Sequence, residues 1–330
     1  MPAPLDVAIP DCILDVMRCR DCGRPVAVRR DRLECSEGHV VDCSSGYVDA
    51  SAEPTDELSS RTFDSFSFEW NTFDDVGSVD SEFGSWYFDP LAEEELSEKL
   101  AIDVGCGKGR YSALLADRVK ALVALDGSDA VKAAAHNLAG KANAVVVKSD
   151  LRSAPLKAES FDLVSCLGVL HHLEDPRVGF EALVRLLSPS GLLLVYLYSR
   201  PDPGSFRERS LFVASLVRRY STRLDHAWLR RVSWPIAGLL YSLVVLPGRL
   251  GERCSVERLR KLPLVAYRGK PLRVLWLDTF DRLSAPIEHR FSFDEVEPWF
   301  RSAGLEILGR REEYGLLVLG RKQAEAGQAR

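Results

Sequence analysis

The sequence predicts an α/β protein with a doubly wound, mostly parallel sheet of seven strands. The first observation is that short apolar runs alternate with amphipathic segments of helical spacing between residues 100 and 198. The second is a glycine-rich turn at residues 105–109, placed between an apolar run and a helix. Such alternation builds right-handed βαβ units and a sheet covered on both faces.

Five apolar runs are predicted as parallel strands, and two segments near the C-terminus complete the sheet, the last antiparallel. The predicted strands are Leu100–Val104, Ala121–Leu125, Ala144–Val147, Phe161–Cys166, Leu192–Tyr198, Leu305–Leu308 and Tyr314–Gly320. The predicted helices are Arg110–Val119, Ser128–Leu138, Arg177–Leu187 and one that starts at a Ser292/Glu295 capping box. Ligands of such sheets bind above the carboxyl ends of the strands.

Glycines and polar residues follow the ends of four predicted strands. They are Asp103-x-Gly105-x-Gly107-x-Gly109, Asp126, Ser149-Asp150-Leu151 and Gly168-Val169-Leu170-His171-His172-Leu173. Asp126 lies 21 residues after Gly105, a spacing at which a carboxylate can accept hydrogen bonds from a ribose. As a set these motifs resemble the class I S-adenosylmethionine-dependent methyltransferases, of Rossmann-like fold. They differ from the dinucleotide fingerprint, in which the third glycine comes one residue later.

The resemblance implies S-adenosylmethionine as the cofactor and assigns a role to each motif. Asp126 would hold the ribose, Asp150 and Leu151 would contact the adenine, and Asp103 with the loop amides would position the methionine end. The predicted cofactor-binding residues are Trp70, Asp103, Gly105, Cys106, Gly107, Asp126, Gly127, Ser128, Asp150, Leu151 and Leu167.

His171 and His172 are the candidate catalytic residues, because they follow the fourth predicted strand, where the methyl group should point. A histidine can act as a general base near neutral pH. The pair is also common to family members with very different substrates, so a packing role remains open. Methyl transfer from a sulfonium depends mainly on in-line placement of the reactants.

The N-terminal region contains a metal-ligand pattern, Cys19-x2-Cys22-x12-Cys35-x3-His39. This spacing predicts a tetrahedral structural zinc site, with Cys43 as an alternative fourth ligand. Followed by Gly46-Tyr47-Val48, the segment resembles the zinc ribbon of bacterial large-subunit rRNA guanine methyltransferases. A ribbon of about 30 residues buries too little apolar area to fold without metal.

Two segments of opposite charge flank the predicted cofactor-binding core. Residues 49–98 contain fifteen acidic residues and one arginine together with many aromatics, so we expect an ordered segment that caps the cofactor through Trp70 or packs the ribbon onto the core. Residues 200–275 contain sixteen basic and five acidic residues, a net charge of +11, whereas the whole chain carries −5. This insert is interpreted as a substrate lid, a membrane-facing or lipid-binding surface, an RNA-binding surface, or a solvated helical pair.

The predicted domain order follows from these segments. It is a zinc-ribbon-like domain (1–50), an acidic aromatic segment (51–98), the cofactor-binding core (99–200), a basic helical insert (201–275), completion of the core (276–322) and a tail (323–330). The longest apolar run, Ser233–Pro247, contains two prolines and is shorter than the ~20 residues of a membrane span. Unpaired-looking cysteines favour a cytoplasmic location.

The leading functional hypothesis is methyl transfer to a small molecule such as a polar lipid, a saccharide or a secondary metabolite. The first alternative is an rRNA base methyltransferase, which the ribbon suggests. The second is a non-catalytic cofactor-binding regulator. Expected partners are a small-molecule substrate, RNA with less support, and a membrane surface through the basic insert.

Overall fold

A central sheet organises most of the chain in the computed structural model, which describes residues 8–29, 32–51, 57–73, 84–260 and 262–324. Its strands are β4 (Val48–Asp49), β5 (Leu100–Val104), β6 (Ala121–Asp126), β7 (Ala144–Lys148), β8 (Phe161–Leu167), β9 (Leu187–Leu197), β10 (Leu305–Arg311) and β11 (Leu316–Lys322). The strand order is β10-β11-β9-β8-β5-β6-β7-β4. The pairs β10–β11 and β11–β9 are antiparallel, and every other neighbouring pair is parallel.

The predicted fold class is confirmed, because the seven predicted strands form one mostly parallel sheet. The two-residue β4 adds an eighth strand, which pairs with β7 through Val48 and Val147. Strand β9 begins five residues earlier than predicted, because Leu187 already pairs with Phe161 of β8. Because β5, β6, β7 and β8 are parallel, their carboxyl ends lie at one edge of the sheet. The strand order reverses between β5 and β8, and ligands bind at such a point in this fold.

Helices follow the strands along the chain. They are α1 (Asp11–Leu14), α2 (Glu57–Thr72), α3 (Arg110–Ala116), α4 (Val131–Leu138), α5 (Pro176–Leu186), α6 (Phe206–Ser221), α7 (His226–Leu240), α8 (Leu246–Arg253), α9 (Glu257–Arg260), α10 (Leu272–Ser284) and α11 (Phe293–Ser302). Helix α4 starts later than the predicted Ser128, because Ser128 is held to Asp126 by its backbone N–H and its hydroxyl. The predicted capping box of Ser292 and Glu295 is present at α11.

The ribbon is a three-stranded antiparallel sheet of β1 (Val26–Arg29), β2 (Arg32–Cys35) and β3 (Val40–Val41). Leu33 of the ribbon and Ile13 of the preceding helix α1 belong to the same apolar cluster as Val145 and Phe161 of the central sheet. Backbone hydrogen bonds from Arg18 to Pro155 and from Lys157 to Val16 tie its entry to the core. The ribbon is therefore packed into the core and shares its stability.

The described residues form two compact units. The first contains the ribbon, α2 through residue 71, the central sheet with α3 to α5, and residues 287–324. The second contains residues 72–73 and 201–286. The second unit extends beyond the predicted insert boundary at 275, because Leu275 of α10 packs against Ala237 of α7 and Val245 in one apolar cluster.

Candidate functional site

Three glycines, at positions 105, 107 and 109, carry the chain from β5 into α3 with φ values of +74°, +53° and +77°. Residues with a Cβ atom rarely adopt this left-handed backbone. A Cβ on Gly105 would lie 2.0 Å from Cγ2 of Val169, and one on Gly107 would lie 3.2 Å from Nε1 of Trp70. Glycine is therefore required both by the backbone conformation and by the close approach of neighbouring side chains.

Asp126 ends β6 and braces this loop. Its Oδ2 atom accepts a hydrogen bond from the backbone N–H of Gly107 at 2.9 Å, and its Oδ1 atom accepts from the N–H and hydroxyl of Ser128 at 2.8 and 2.6 Å. Burial raises the pKa of Asp126, and these donors oppose the rise. A carboxylate can accept about four hydrogen bonds, and three are already made here, so one acceptor site on Oδ2 remains for a ribose hydroxyl.

Asp150 and Leu151 follow β7. The Oδ2 atom of Asp150 lies 2.5 Å from Nη2 of Arg152, and its Oδ1 atom accepts from the backbone N–H of Arg152 at 2.8 Å. Nη2 of Arg152 also donates to the hydroxyl of Ser59 on α2 at 3.0 Å. Arg152 therefore engages both oxygens of Asp150, and an adenine amino group would share this carboxylate with the guanidinium.

One face of α2 covers the glycine loop. Thr62, Phe63, Phe66 and Trp70 recur at helical spacing and line the same cavity. The Arg110 guanidinium carbon lies 5.0 Å from the centroid of the Trp70 ring, within the range of a cation–π interaction. The sequence patterns above identify only Trp70 on this face, although the 63–66–70 aromatic spacing is the signal that relates Phe63 and Phe66 to it.

These elements enclose a cavity of about 130 Å³ within the first unit. The predicted cofactor residues that line it are Trp70, Gly105, Cys106, Gly107, Asp126, Gly127, Ser128, Asp150, Leu151 and Leu167. Lining residues that were not predicted as cofactor-binding include Thr62, Phe63, Phe66, Lys108, Arg110, Tyr111 and Val169. The structure thus brings ten of the eleven predicted positions to one cavity at the carboxyl edge of the sheet.

Asp103 is the predicted position that does not line this cavity. Its carboxylate is buried in β5 and accepts a hydrogen bond from the Ser112 hydroxyl of α3 at 2.5 Å. Burial raises the pKa of Asp103 to about 6. Its observed contact ties the start of α3 to β5, and its role toward the cofactor ammonium stays a prediction.

The two adjacent histidines have different surroundings. His172 lines the cavity, and its Nδ1 atom lies 2.7 Å from the Ile287 carbonyl oxygen. A carbonyl only accepts, so Nδ1 of His172 is the protonated nitrogen of the neutral ring and Nε2 carries a lone pair. His171 is buried away from the cavity and stacks on Tyr198 with ring centroids 3.9 Å apart. Burial lowers the pKa of His171 well below its usual value, so this ring is neutral at pH 7.

The ribbon brings together Cys19, Cys22, Cys35 and His39, whose ligand atoms all lie within 4.8 Å of one another. The Sγ atoms of Cys22 and Cys35 are 3.6 Å apart, and Sγ of Cys19 is 3.5 Å from Nδ1 of His39. Ligands of a tetrahedral zinc ion would be separated by about 3.8 Å for two sulfurs and about 3.5 Å for sulfur and nitrogen. Cys43 lies outside this cluster, with its Sγ atom near the Val41 carbonyl.

Comparison with known proteins assigns the family. The model of the family described as "Methyltransferase domain" matches residues 102–195. A protein of Xanthomonas oryzae named ubiquinone biosynthesis O-methyltransferase is 31% identical over 200 residues, which cover 54% of this chain and 80% of the relative. An uncharacterized methyltransferase of Mycobacterium bovis is 29% identical over 181 residues, which cover 53% of this chain and 89% of the relative.

Among solved structures, the N-methyltransferase NodS of Bradyrhizobium japonicum, in complex with S-adenosyl-L-homocysteine, has 16% identity and a TM-score of 0.47, over 79% of this chain and 98% of that one. The chain belongs to the S-adenosylmethionine-dependent methyltransferases, as its motifs indicate. It is an enzyme that transfers a methyl group from S-adenosylmethionine.

Proposed function

We propose that this enzyme methylates a small molecule with a polar head and an apolar body, best described as a polar lipid. The observation that carries methyl transfer is the enclosed cavity between the glycine loop and α2, with Asp126 at its wall. The lipid-like acceptor is supported by the second unit, where apolar side chains lie exposed beside arginines. A relative named ubiquinone biosynthesis O-methyltransferase supports an oxygen acceptor.

The chain's own residues hold and shield the cofactor, whose sulfonium supplies the methyl group. Asp126 would accept from a ribose hydroxyl, while Leu151 would pack against the adenine and Asp150 would accept from its amino group. Phe63, Phe66 and Trp70 cover the cavity with apolar surface, which excludes water from the reacting centre. This arrangement favours transfer by placing the donor and acceptor in line.

We assign the role facing the acceptor to His172 and a packing role to His171. His172 lines the cavity, and the Ile287 carbonyl orients its ring so that Nε2 can accept a proton or a hydrogen bond. His171 is buried and stacked on Tyr198, a position that supports the neighbouring His172 ring.

We further propose that the ribbon holds one structural zinc ion. Three thiolates and one imidazole are the donor set of a closed zinc site, and their separations match tetrahedral coordination. Burial opposes ionisation of Cys35, but backbone N–H groups of His39 and Glu37 outweigh it, and the pKa of this thiol is lowered to about 7. His39 rather than Cys43 completes the ligand set in this arrangement.

The charges around the ribbon disfavour ribosomal RNA as the substrate. A cavity of about 1060 Å³ beside the ribbon is lined by two cations and six carboxylates, namely Arg20, Lys148, Asp21, Asp42, Asp49, Asp64, Asp129 and Asp150. RNA-binding surfaces neutralise phosphates with an excess of Lys and Arg. An acidic cavity at this position repels a phosphate backbone.

The test is a methylation assay on fractionated cell extract with isotopically labelled S-adenosylmethionine. We expect label in one lipid or other small-molecule product with the purified enzyme, and at least about tenfold less label with an Asp126→Ala variant at a subsaturating cofactor concentration. Mass spectrometry identifies the product and the atom that gains the methyl group. Label in ribosomal RNA alone would favour the rRNA alternative. Cofactor binding without label in any fraction would favour the non-catalytic regulator.

A further inference from the structure

Helix α6 buries polar side chains and exposes apolar ones, the reverse of the usual arrangement in a packed helix. Its inward positions include Arg218 and Ser221, whose side chains donate to the backbone carbonyls of Arg282 and Leu283 in the last turn of α10 at 3.0 and 2.7 Å. Its outward positions are apolar and exposed, namely Phe212 (63%), Val213 (58%), Leu216 (43%), Val217 (46%) and Tyr220 (74%). Contiguous exposed apolar residues of this kind mark an interaction surface.

A second apolar stripe runs along α7, the π-helical turn Tyr241–Val245 and α8. The exposed side chains recur at helical spacing and are Trp228, Ile236, Leu239, Leu243, Leu246 and Leu250. The opposite side of α7 packs on α10, where Trp276 Nε1 donates to the Ser233 hydroxyl at 3.0 Å. The buried positions include the small or polar residues Ser233, Ala237, Gly248 and Gly251 together with Leu229 and Val245, while six large apolar residues remain exposed.

The continuity of this stripe is a property that the sequence patterns did not indicate. His226–Arg253 is one helical stretch of 28 residues, long and apolar enough by composition to cross a membrane, and only 22% of its most apolar window is buried. Pro235 lies inside α7, and Pro247 follows the π-helical turn, yet the helical stretch continues past both residues. Both prolines are therefore accommodated without breaking the stripe.

Exposed arginines flank the two apolar faces. They are Arg207, Arg209, Arg219, Arg223, Arg231 and Arg253. Residues 200–275 carry a net charge of +11, against −5 for the whole chain. Apolar side chains beside excess basic charge are the composition of helices that lie in the headgroup region of anionic bilayers.

We propose that the second unit docks on an anionic lipid bilayer through the exposed faces of α6 and of α7–α8, called here the apolar faces. The segment lies on the bilayer rather than spanning it, because one side of α7 already packs on α10 and a spanning helix in lipid is apolar on all sides. Charge complementarity selects a lipid surface over a second copy of the chain, since two such basic faces would repel each other. The inference concerns location alone and does not depend on the methyl acceptor.

The test measures partition of the full-length protein onto vesicles of phosphatidylcholine, with and without phosphatidylglycerol, by flotation at low and high salt. We expect binding to the mixed vesicles at low salt. Binding should be weaker at high salt, and weaker to vesicles of phosphatidylcholine alone. The double variant Leu239→Glu/Leu243→Glu should lose about tenfold or more of this partition, because it places two carboxylates on the stripe. Val178→Glu/Leu308→Glu is the matched control, since it adds the same charges at exposed apolar positions of the first unit.

Retained binding of S-adenosylhomocysteine and an unchanged thermal transition show that the variants are folded. Quenching of Trp228 fluorescence by brominated lipid tests whether this residue contacts the bilayer in the wild-type protein. Comparison with a Trp228→Phe variant assigns the quenched signal to Trp228. The proposal is overturned if wild type does not bind anionic vesicles, or if both double variants lose binding equally. It is also overturned if wild type is dimeric without lipid and Leu239→Glu/Leu243→Glu is monomeric, because a second copy then covers the apolar faces.

Discussion

A Cys35→Ser variant is expected to contain no zinc, whereas the wild-type protein should contain one zinc ion per chain. Cys35 is the last residue of β2, and its Sγ atom lies 3.6 Å from Sγ of Cys22. Replacing this thiol with a hydroxyl therefore removes one of the four ligands of the proposed tetrahedral site. Zinc binding contributes about 10–16 kcal/mol to the folding of small zinc modules. Metal analysis by mass spectrometry on purified protein measures this outcome.

The thermal transition of the first unit should fall together with the metal. Leu33 of the ribbon is fully buried in the same apolar cluster as Phe161 of the central sheet, so an unfolded ribbon exposes part of that core. We therefore expect a chelator to lower the melting temperature of wild type and to leave that of Cys35→Ser unchanged. Calorimetry on both proteins checks this difference.

Cys43→Ser is the matched control for the metal site. It removes a buried thiol from the same segment, but the Cys43 sulfur lies outside the four-residue cluster. This variant should keep one zinc ion. A wild-type protein free of zinc, or zinc lost from Cys43→Ser and kept by a His39→Ala variant, would refute the assigned ligand set.

The second large effect is expected from Asp126→Ala, which should weaken S-adenosylhomocysteine binding by tenfold or more. Hydrogen bonds to a charged acceptor contribute about 1.5–3 kcal/mol, and about 1.4 kcal/mol corresponds to tenfold in affinity. The variant also removes the acceptor of the Gly107 and Ser128 N–H groups, which loosens the glycine loop. Isothermal titration calorimetry measures the dissociation constant directly.

Asp129→Ala controls for the loss of a neighbouring carboxylate. Asp129 pairs with Lys132 and Lys148 at 2.7 and 2.6 Å, and it does not line the cofactor cavity. Its removal should change affinity by less than about twofold, because partly exposed ion pairs contribute little. Equal affinities for wild type and Asp126→Ala would show that another residue holds the ribose.

The strands of the parallel sheet and its ligand-binding edge could be predicted almost completely from the sequence. The run Leu100–Val104 has the predicted bounds in the structure, and the Gly105–Gly109 turn follows it with positive φ at each glycine. Such features are local, since apolar runs of strand length and glycines in tight turns are set by neighbours along the chain. Ten of the eleven predicted cofactor positions meet at one cavity, because most of them follow parallel strands, whose carboxyl ends share one edge of the sheet.

Features that depend on contacts distant in sequence escaped prediction. Phe63 and Phe66 line the cofactor cavity only because α2 lies across the loop formed by Gly105 and Gly107. The second unit ends at Pro286 because α10 packs on α7, a pairing that no local pattern encodes. Asp103 matches the family motif in sequence, yet its carboxylate contacts Ser112 rather than the cavity.

The sequence by itself determined the family, the sheet and the four metal-ligand candidates, because motif spacing and hydrophobic period are written along the chain. The tertiary structure alone decided that His39 joins the three cysteines while Cys43 does not, and that His172 lines the cavity while His171, which is also buried, does not. It also decided which face of α6 is exposed, against the usual rule that apolar residues face inward. These choices depend on which side chains meet across segments far apart in sequence, and packing fixes them only when the whole chain is folded.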